Sequence, residues 1–248
     1  MEKEVIIRCI QPPKHLMPGF LDFANEVKRK CDERGVKFSE KEITEIFNNS
    51  FPGKIRANFF LWIGDLNTII DGINIILTDL FDLCENLNSF KGSSVIRSEL
   101  LIRTFFGEFF RIRERSKIFI KLLADEDILN KKSKEMVIKL YFKVFDDTYE
   151  FRNMLIHQGV SFKDDDIKID QSFLDNLSSD ERRKFALLIN GADTKENVLK
   201  FKCVFFTKYI NDVMNKFIDF QETLNATLAD LIILYEKEVL TITIKKND

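Results

Sequence analysis

Between residues 56 and 87 the chain places a large apolar side chain every seventh position, at Phe59, Leu66, Ile73 and Leu80, with Ile63, Ile70 and Leu77 between them. That alternation of fours and threes, held over about six helical turns, fits one buried stripe on a long helix. A strand, whose side chains alternate with period two, cannot keep those residues on one face. The pattern therefore predicts a seam of a long antiparallel bundle. Gly64 and Gly72 on the same helix are expected to let a neighbour come close. Only nine glycines and four prolines interrupt 248 residues, so long helices are expected elsewhere, and 25 phenylalanines imply a core of rings rather than of leucine alone.

The same stretch is the most apolar of the chain, yet residues 59–81 hold Asp65, Asp71 and Asp79. Three carboxylates are costly in a bilayer, so this is read as a core helix, with no membrane partner. The opening residues MEKEVIIRCIQPPKH lack the apolar centre of a secretory signal. Four scattered cysteines without a CxxC pair, beside two histidines, point to reduced thiols in a cytoplasmic protein and away from a zinc site. No metal or cofactor is expected. The net charge of −2 gives no global attraction to nucleic acid, so any such contact must come from local basic patches.

Along the chain, residues 5–10 read as a short strand stopped by Pro12 and Pro13. A helix is expected over about 18–34, closed by Gly35, and Ser39 with Glu42 has the spacing of a capping box. Further helices are predicted over about 56–87, 94–124, 133–157, 179–190 and 194–237, with a β-branched terminal strand at 239–244. The fold class is all-α, a multi-helix up-and-down bundle with short strands at the two ends, in one domain spanning 1–248. Residues 1–54 form an N-terminal extension, 55–237 the bundle, and 238–248 the closing strand.

On the helix at 94–124, Leu101, Phe105, Phe109, Ile112, Phe119 and Leu123 share a face. Arg97, Thr104, Glu108, Arg111 and Arg115 form a polar stripe beside it. That stripe can hold an RNA backbone, or it can be a solvated flank in which Glu108 pairs with Arg111 and Arg115. Lys131 and Lys132, with Lys134, make a basic loop ahead of the next helix, and Arg182-Arg183-Lys184 a second cluster. Each is ordinary surface unless it meets phosphate. KDDD at 163–166 reads as solvated carboxylates.

The chemistry concentrates in FRNMLIHQG, residues 151–159. Its helix carries Val137, Tyr141, Val144, Thr148, Phe151 and Leu155 as a core seam and Asp146, Glu150, Asn153 and His157 as an opposite polar stripe, with Gly159 as the natural stop. Arg152 is a permanent cation with a fork suited to phosphate, Asn153 donates and accepts, and His157 titrates near neutral pH. Such a set suits phosphodiester cleavage without metal: the histidine moves a proton and the arginine stabilises growing charge. Five residues rotate about 140° around a helix, so Arg152 and His157 do not share a face. Either the helix frays near His157, or Arg152 reaches round, or two copies of the motif meet across a dimer axis.

Arg152-Asn153-Met154-Leu155-Ile156-His157, at the end of a late helix in an all-α chain, resembles the Arg-x4-His motif of the HEPN superfamily. The resemblance implies a helical bundle, often dimeric, and a metal-independent ribonuclease of the kind found in toxin–antitoxin, phage-defence and CRISPR-associated systems. It implies Arg152 and His157 as the catalytic pair and Asn153 as their polar support. RNA would be the substrate, a second copy the dimer partner, and an antitoxin or regulator a further partner. Some members of that superfamily are non-catalytic modules, so the resemblance equally implies an alternative that binds RNA, nucleotide or a partner protein without chemistry.

Overall fold

The computed structural model describes residues 6–35, 37–39, 41–43, 45–46, 54–86, 92–157 and 195–247, with some helical residues, including 154–157 and 239–247, described by backbone alone. Among the described residues the helices that carry the fold are α1 (Met17–Arg34), α2 (Lys54–Glu85), α3 (Ser94–Asp125), α4 (Lys131–Val144), α5 (Asp146–His157) and α6 (Lys195–Asn247). No strand occurs among the described residues. The protein is an all-α, multi-helix bundle.

Sequence signals account for the helix ends. Gly35 closes α1 with φ 66°, a left-handed conformation that a side chain would strain, and its N–H donates to the Cys31 carbonyl at 2.9 Å. The capping box forms as spaced: the Ser39 N–H donates to Glu42 Oε2 at 2.9 Å, and the Glu42 N–H donates back to Ser39 Oγ at 3.4 Å. The Arg34 guanidinium and the Ser39 donors hold the Glu42 carboxyl down at about 2.

Packing gathers the chain into two compact units. The first comprises Met1–Arg8, Ile69–Arg111 and Lys143–Lys216. Its core joins Ile70, Ile73 and Leu80 of α2 to Phe105, Phe106 and Phe109 of α3 and Phe206 and Ile210 of α6, all essentially without solvent contact. The second comprises Cys9–Thr68, Ile112–Phe142 and Phe217–Asp248. There Phe59 and Leu66 of α2 meet Phe119 and Ile120 of α3 and Phe217 and Ile218 of α6, and Trp62 stacks on Phe119 with centroids 4.4 Å apart. Every member of the seven-residue seam in α2 is buried. By length and hydropathy α2 is the one described helix that could cross a membrane, but half of its apolar window is buried within the protein.

Four expectations are corrected. Residues 239–244 are helical, the end of α6 rather than a strand. Their β-branched side chains cost a few tenths of a kcal/mol each in a helix, whereas a strand without a partner leaves backbone groups unpaired. Residues 6–10 form no ladder either; their backbone is held by side chains. Asn74 Oδ1 accepts from the Ile7 N–H at 2.8 Å and Asn74 Nδ2 donates to the Ile7 carbonyl at 2.9 Å. Asn67 repeats this two-point grip on Ile10, at 2.8 and 3.1 Å.

The predicted 133–157 helix is two helices. The chain bends at Phe145, which is buried against Phe109, and its carbonyl accepts the Tyr149 N–H to start α5. Asp146 and Asp147 then fill the first turn, where acids favour a helix start. After the bend, Phe145, Thr148 and Tyr149 carry the buried face. Finally, no non-local heavy atom lies within 4 Å of where a Cβ would stand on Gly64 or Gly72, so neither mediates a close crossing among the described residues.

Candidate functional site

Arg152 and Asn153 stand on the second turn of α5, in the first unit. The Arg152 guanidinium lies over the ring of Phe110 on α3, its central carbon 4.5 Å from the ring centroid. Such a contact is worth about 0.5–2 kcal/mol, depending on how far water is excluded. Arg152 Nη1 donates to Asn153 Oδ1 at 3.2 Å, on the exposed side, while Nε is buried without a hydrogen-bond partner among the described residues. Arginine and asparagine are therefore coupled, and the guanidinium sits over an aromatic ring. Phe110, half-buried beside the buried Phe109, belongs to the ring cluster that α3 builds in this unit.

His157 is the last residue of α5. Its side chain lies outside the described residues, as do Gly159, KDDD 163–166, the 179–190 segment and Arg182-Arg183-Lys184. On the helical backbone it stands about 140° round from Arg152. The bond to Asn153 thus ties the amide to the arginine.

The charges of the polar stripe on α3 are paired, two of them with carboxylates of α2. Arg97 reaches Asp79 of α2 at 3.8 Å, Arg111 donates to Glu108 at 2.6 Å, and Arg115 reaches Asp65 of α2 at 3.6 Å. Of the expected partners of Glu108, Arg111 is present and Arg115 turns to α2 instead. Thr104 donates its hydroxyl to the Leu100 carbonyl at 2.7 Å. These are exposed or half-exposed pairs, each worth at most about 1 kcal/mol, but together they neutralise the stripe. Lys131 and Lys132 do not belong to a loop: they open α4, capped by Asn130, whose Oδ1 accepts the Ser133 N–H at 2.8 Å. Both are exposed.

Two features lie outside the sequence reading. In the second unit the fully buried Gln221 accepts from the Tyr141 hydroxyl and donates to Asn225 Oδ1 at 2.7 Å. This polar chain sits in a core that periodicity alone reads as apolar. In the first unit, burial pushes the Lys202 ammonium down to about 8, opposed by Glu99, and pushes the neighbouring Cys203 thiol up to about 12. Cys84, also raised by burial, points its Sγ at the Lys200 carbonyl at 3.8 Å. Such thiols stay protonated, which suits packing rather than nucleophilic chemistry. Among the described residues no cluster of three His, Cys, Asp or Glu side chains could hold a metal ion.

Comparison with protein-family models, with curated proteins and with solved structures finds no match for this chain.

Proposed function

We propose that the chain is a metal-independent endoribonuclease of the HEPN type, working in the cytoplasm as a homodimer in a toxin–antitoxin or phage-defence role. The observation that supports this is the mounting of Arg152: placed over the Phe110 ring, tied to Asn153, on the helix that His157 closes. A guanidinium whose position is fixed before substrate arrives pays little ordering entropy when it meets a phosphate. In this reading His157 moves a proton at the ribose 2′-hydroxyl or at the 5′ leaving oxygen. Arg152 stabilises the charge on the pentacoordinate phosphorus, and Asn153 holds Arg152 in line. The products are a 2′,3′-cyclic or 3′-phosphate and a 5′-hydroxyl. Because Arg152 and His157 leave one helix in different directions, a second copy would complete the constellation.

A second reading, a non-catalytic helical module that binds RNA, nucleotide or a partner protein, is favoured by the pairing of Arg97, Arg111 and Arg115 with carboxylates, which leaves the α3 stripe neutral. Incubating total RNA and tRNA with the purified protein in EDTA separates the two. Arg152→Ala and His157→Ala serve as controls, each matched to wild type for fold and oligomeric state. Cleavage lost in both variants is the expected result. Cleavage retained in His157→Ala would sink the ribonuclease reading.

A further inference from the structure

Helix α4 carries a charge that its surroundings among the described residues do not neutralise. Five of its 14 residues are lysines, Lys131, Lys132, Lys134, Lys139 and Lys143, against the single acid Glu135. None of these lysines has an ion pair or side-chain hydrogen bond among the described residues. The contrast with α3 is sharp: there Arg97, Arg103, Arg111, Arg113, Arg115 and Lys117 all stand within ion-pair reach of a carboxylate. The chain as a whole is slightly acidic, so the basic face of α4 is a local choice.

That choice works against the helix itself. The N-terminus of a helix is its positive end and favours acids, as the paired aspartates of α5 illustrate. The first turn of α4 holds no acid and three lysines instead. A sequence that breaks a local rule without internal compensation marks a place where something outside the chain is served.

The face also has an apolar ridge. Val137 and Tyr141 point into the core, and Ile138 and Phe142 line a small pocket against Ser116 and Ile120 of α3. On the outward side, about half a turn away, stand Lys132, Met136 and Lys139, with Leu140 at the edge. Met136 is 64% exposed and Leu140 44% exposed. A methionine and a leucine one turn apart, flanked by cations, fit the i, i+4 anchors of helix-on-helix recognition.

The chemistry of the occupant follows. A nucleic-acid backbone would use the lysines but not the ridge, and single strands stack on aromatic rings, which α4 turns inward. An interfacial membrane helix needs a broad apolar face, and here the outward side offers two side chains. We propose that the outward face of α4, through Lys132, Met136, Lys139 and Leu140, docks an acidic amphipathic helix of a partner protein. This stands independently of the ribonuclease reading.

The test uses the full-length protein and fluorescence anisotropy. The probe is a labelled helical peptide with leucines at i, i+3, i+4 and i+7 and glutamates on the flanking positions. A peptide of identical composition with its leucines scattered round the helix is the control. Binding of the first peptide should weaken by about tenfold or more in Lys132→Glu/Lys139→Glu and again in Met136→Ser/Leu140→Ser, and the scattered peptide should bind weakly throughout. Lys132→Glu places an acid at the positive end of α4, so its melting temperature should not fall, and lost binding cannot be put down to lost folding. No binding of the probe, or equal binding of both peptides, would overturn the proposal. So would an affinity for oligouridine, or for phosphatidylcholine–phosphatidylserine vesicles, that the lysine changes abolish and the Met136→Ser/Leu140→Ser change leaves intact.

Discussion

Replacing Gln221 by leucine tests whether the buried polar chain in the second unit stabilises the fold. Gln221 is fully buried, accepts from the Tyr141 hydroxyl and donates to Asn225 Oδ1 at 2.7 Å. Leucine is close in size, so little cavity forms, but both hydrogen bonds vanish inside the core. Each buried group deprived of its partner costs about 1–3 kcal/mol, so Gln221→Leu should destabilise by about 2–6 kcal/mol. Asn225 is itself fully buried, and its Nδ2 has no hydrogen-bond partner among the described residues. Removing the whole polar chain, as Tyr141→Phe/Gln221→Leu/Asn225→Leu, should therefore recover most of that loss and end within about 1 kcal/mol of wild type. Urea unfolding followed by Trp62, the one tryptophan, reads the change in the same unit through its stack on Phe119. A cost for Gln221→Leu below about 0.5 kcal/mol, or a triple variant as unstable as the single, would refute the reasoning.

Lys132→Glu should raise stability by about 1 kcal/mol, seen as a melting temperature higher by about 2–4 °C in calorimetry, because it exchanges a misplaced cation for an acid at the start of α4. Lys202 gives a pH signature: its ammonium is lowered from 10.5 to about 8 by burial. Below pH 8 both folded and unfolded chains hold the proton and the full penalty stands. Between about pH 8 and 10.5 the unfolded chain binds more protons, so stability should climb by up to about 3 kcal/mol, and Lys202→Met should abolish that climb in denaturant midpoints measured across the range. Phe110→Ala removes the shelf under Arg152 and, if the ribonuclease reading holds, should lower kcat by about 10- to 100-fold with little change in overall helicity by circular dichroism.

How much of this was legible in the sequence depended on whether a local rule decided the outcome. The seven-residue seam of α2, the glycine stop at Gly35 and the Ser39–Glu42 box all formed as spaced, because burial of a stripe and capping of free N–H groups are local demands. Misreadings arose where a tertiary partner decided. The apolar run at 6–10 has strand composition, but its backbone partners are the carboxamides of Asn67 and Asn74, which no period reveals. The β-branched tail at 239–244 follows α6 because a helix satisfies its own backbone. The seam through Val144 and Thr148 continues on paper across Phe145, and the signal that breaks it is the pair Asp146 and Asp147 opening a new helix, of which the period places only Asp146 in the polar stripe. For the site, residue types could place Arg152 beside Asn153, but only the fold puts the Phe110 ring beneath the guanidinium. Likewise, the positions of Arg97 and Arg115 could not show that Asp79 and Asp65 of α2 would neutralise them.

The most direct test of the central claim is the chemistry of the cut ends. A tRNA cleaved in EDTA would be mapped, and an oligonucleotide spanning the cut synthesised with ribose and with 2′-deoxyribose at the nucleotide on the 5′ side of the scissile phosphate. Attack by the 2′-hydroxyl, driven by His157 and Arg152, predicts a 2′,3′-cyclic or 3′-phosphate with a 5′-hydroxyl from the first, and no cleavage of the second. Cleavage of the deoxy-substituted strand, or a 5′-phosphate on the product, would contradict the account.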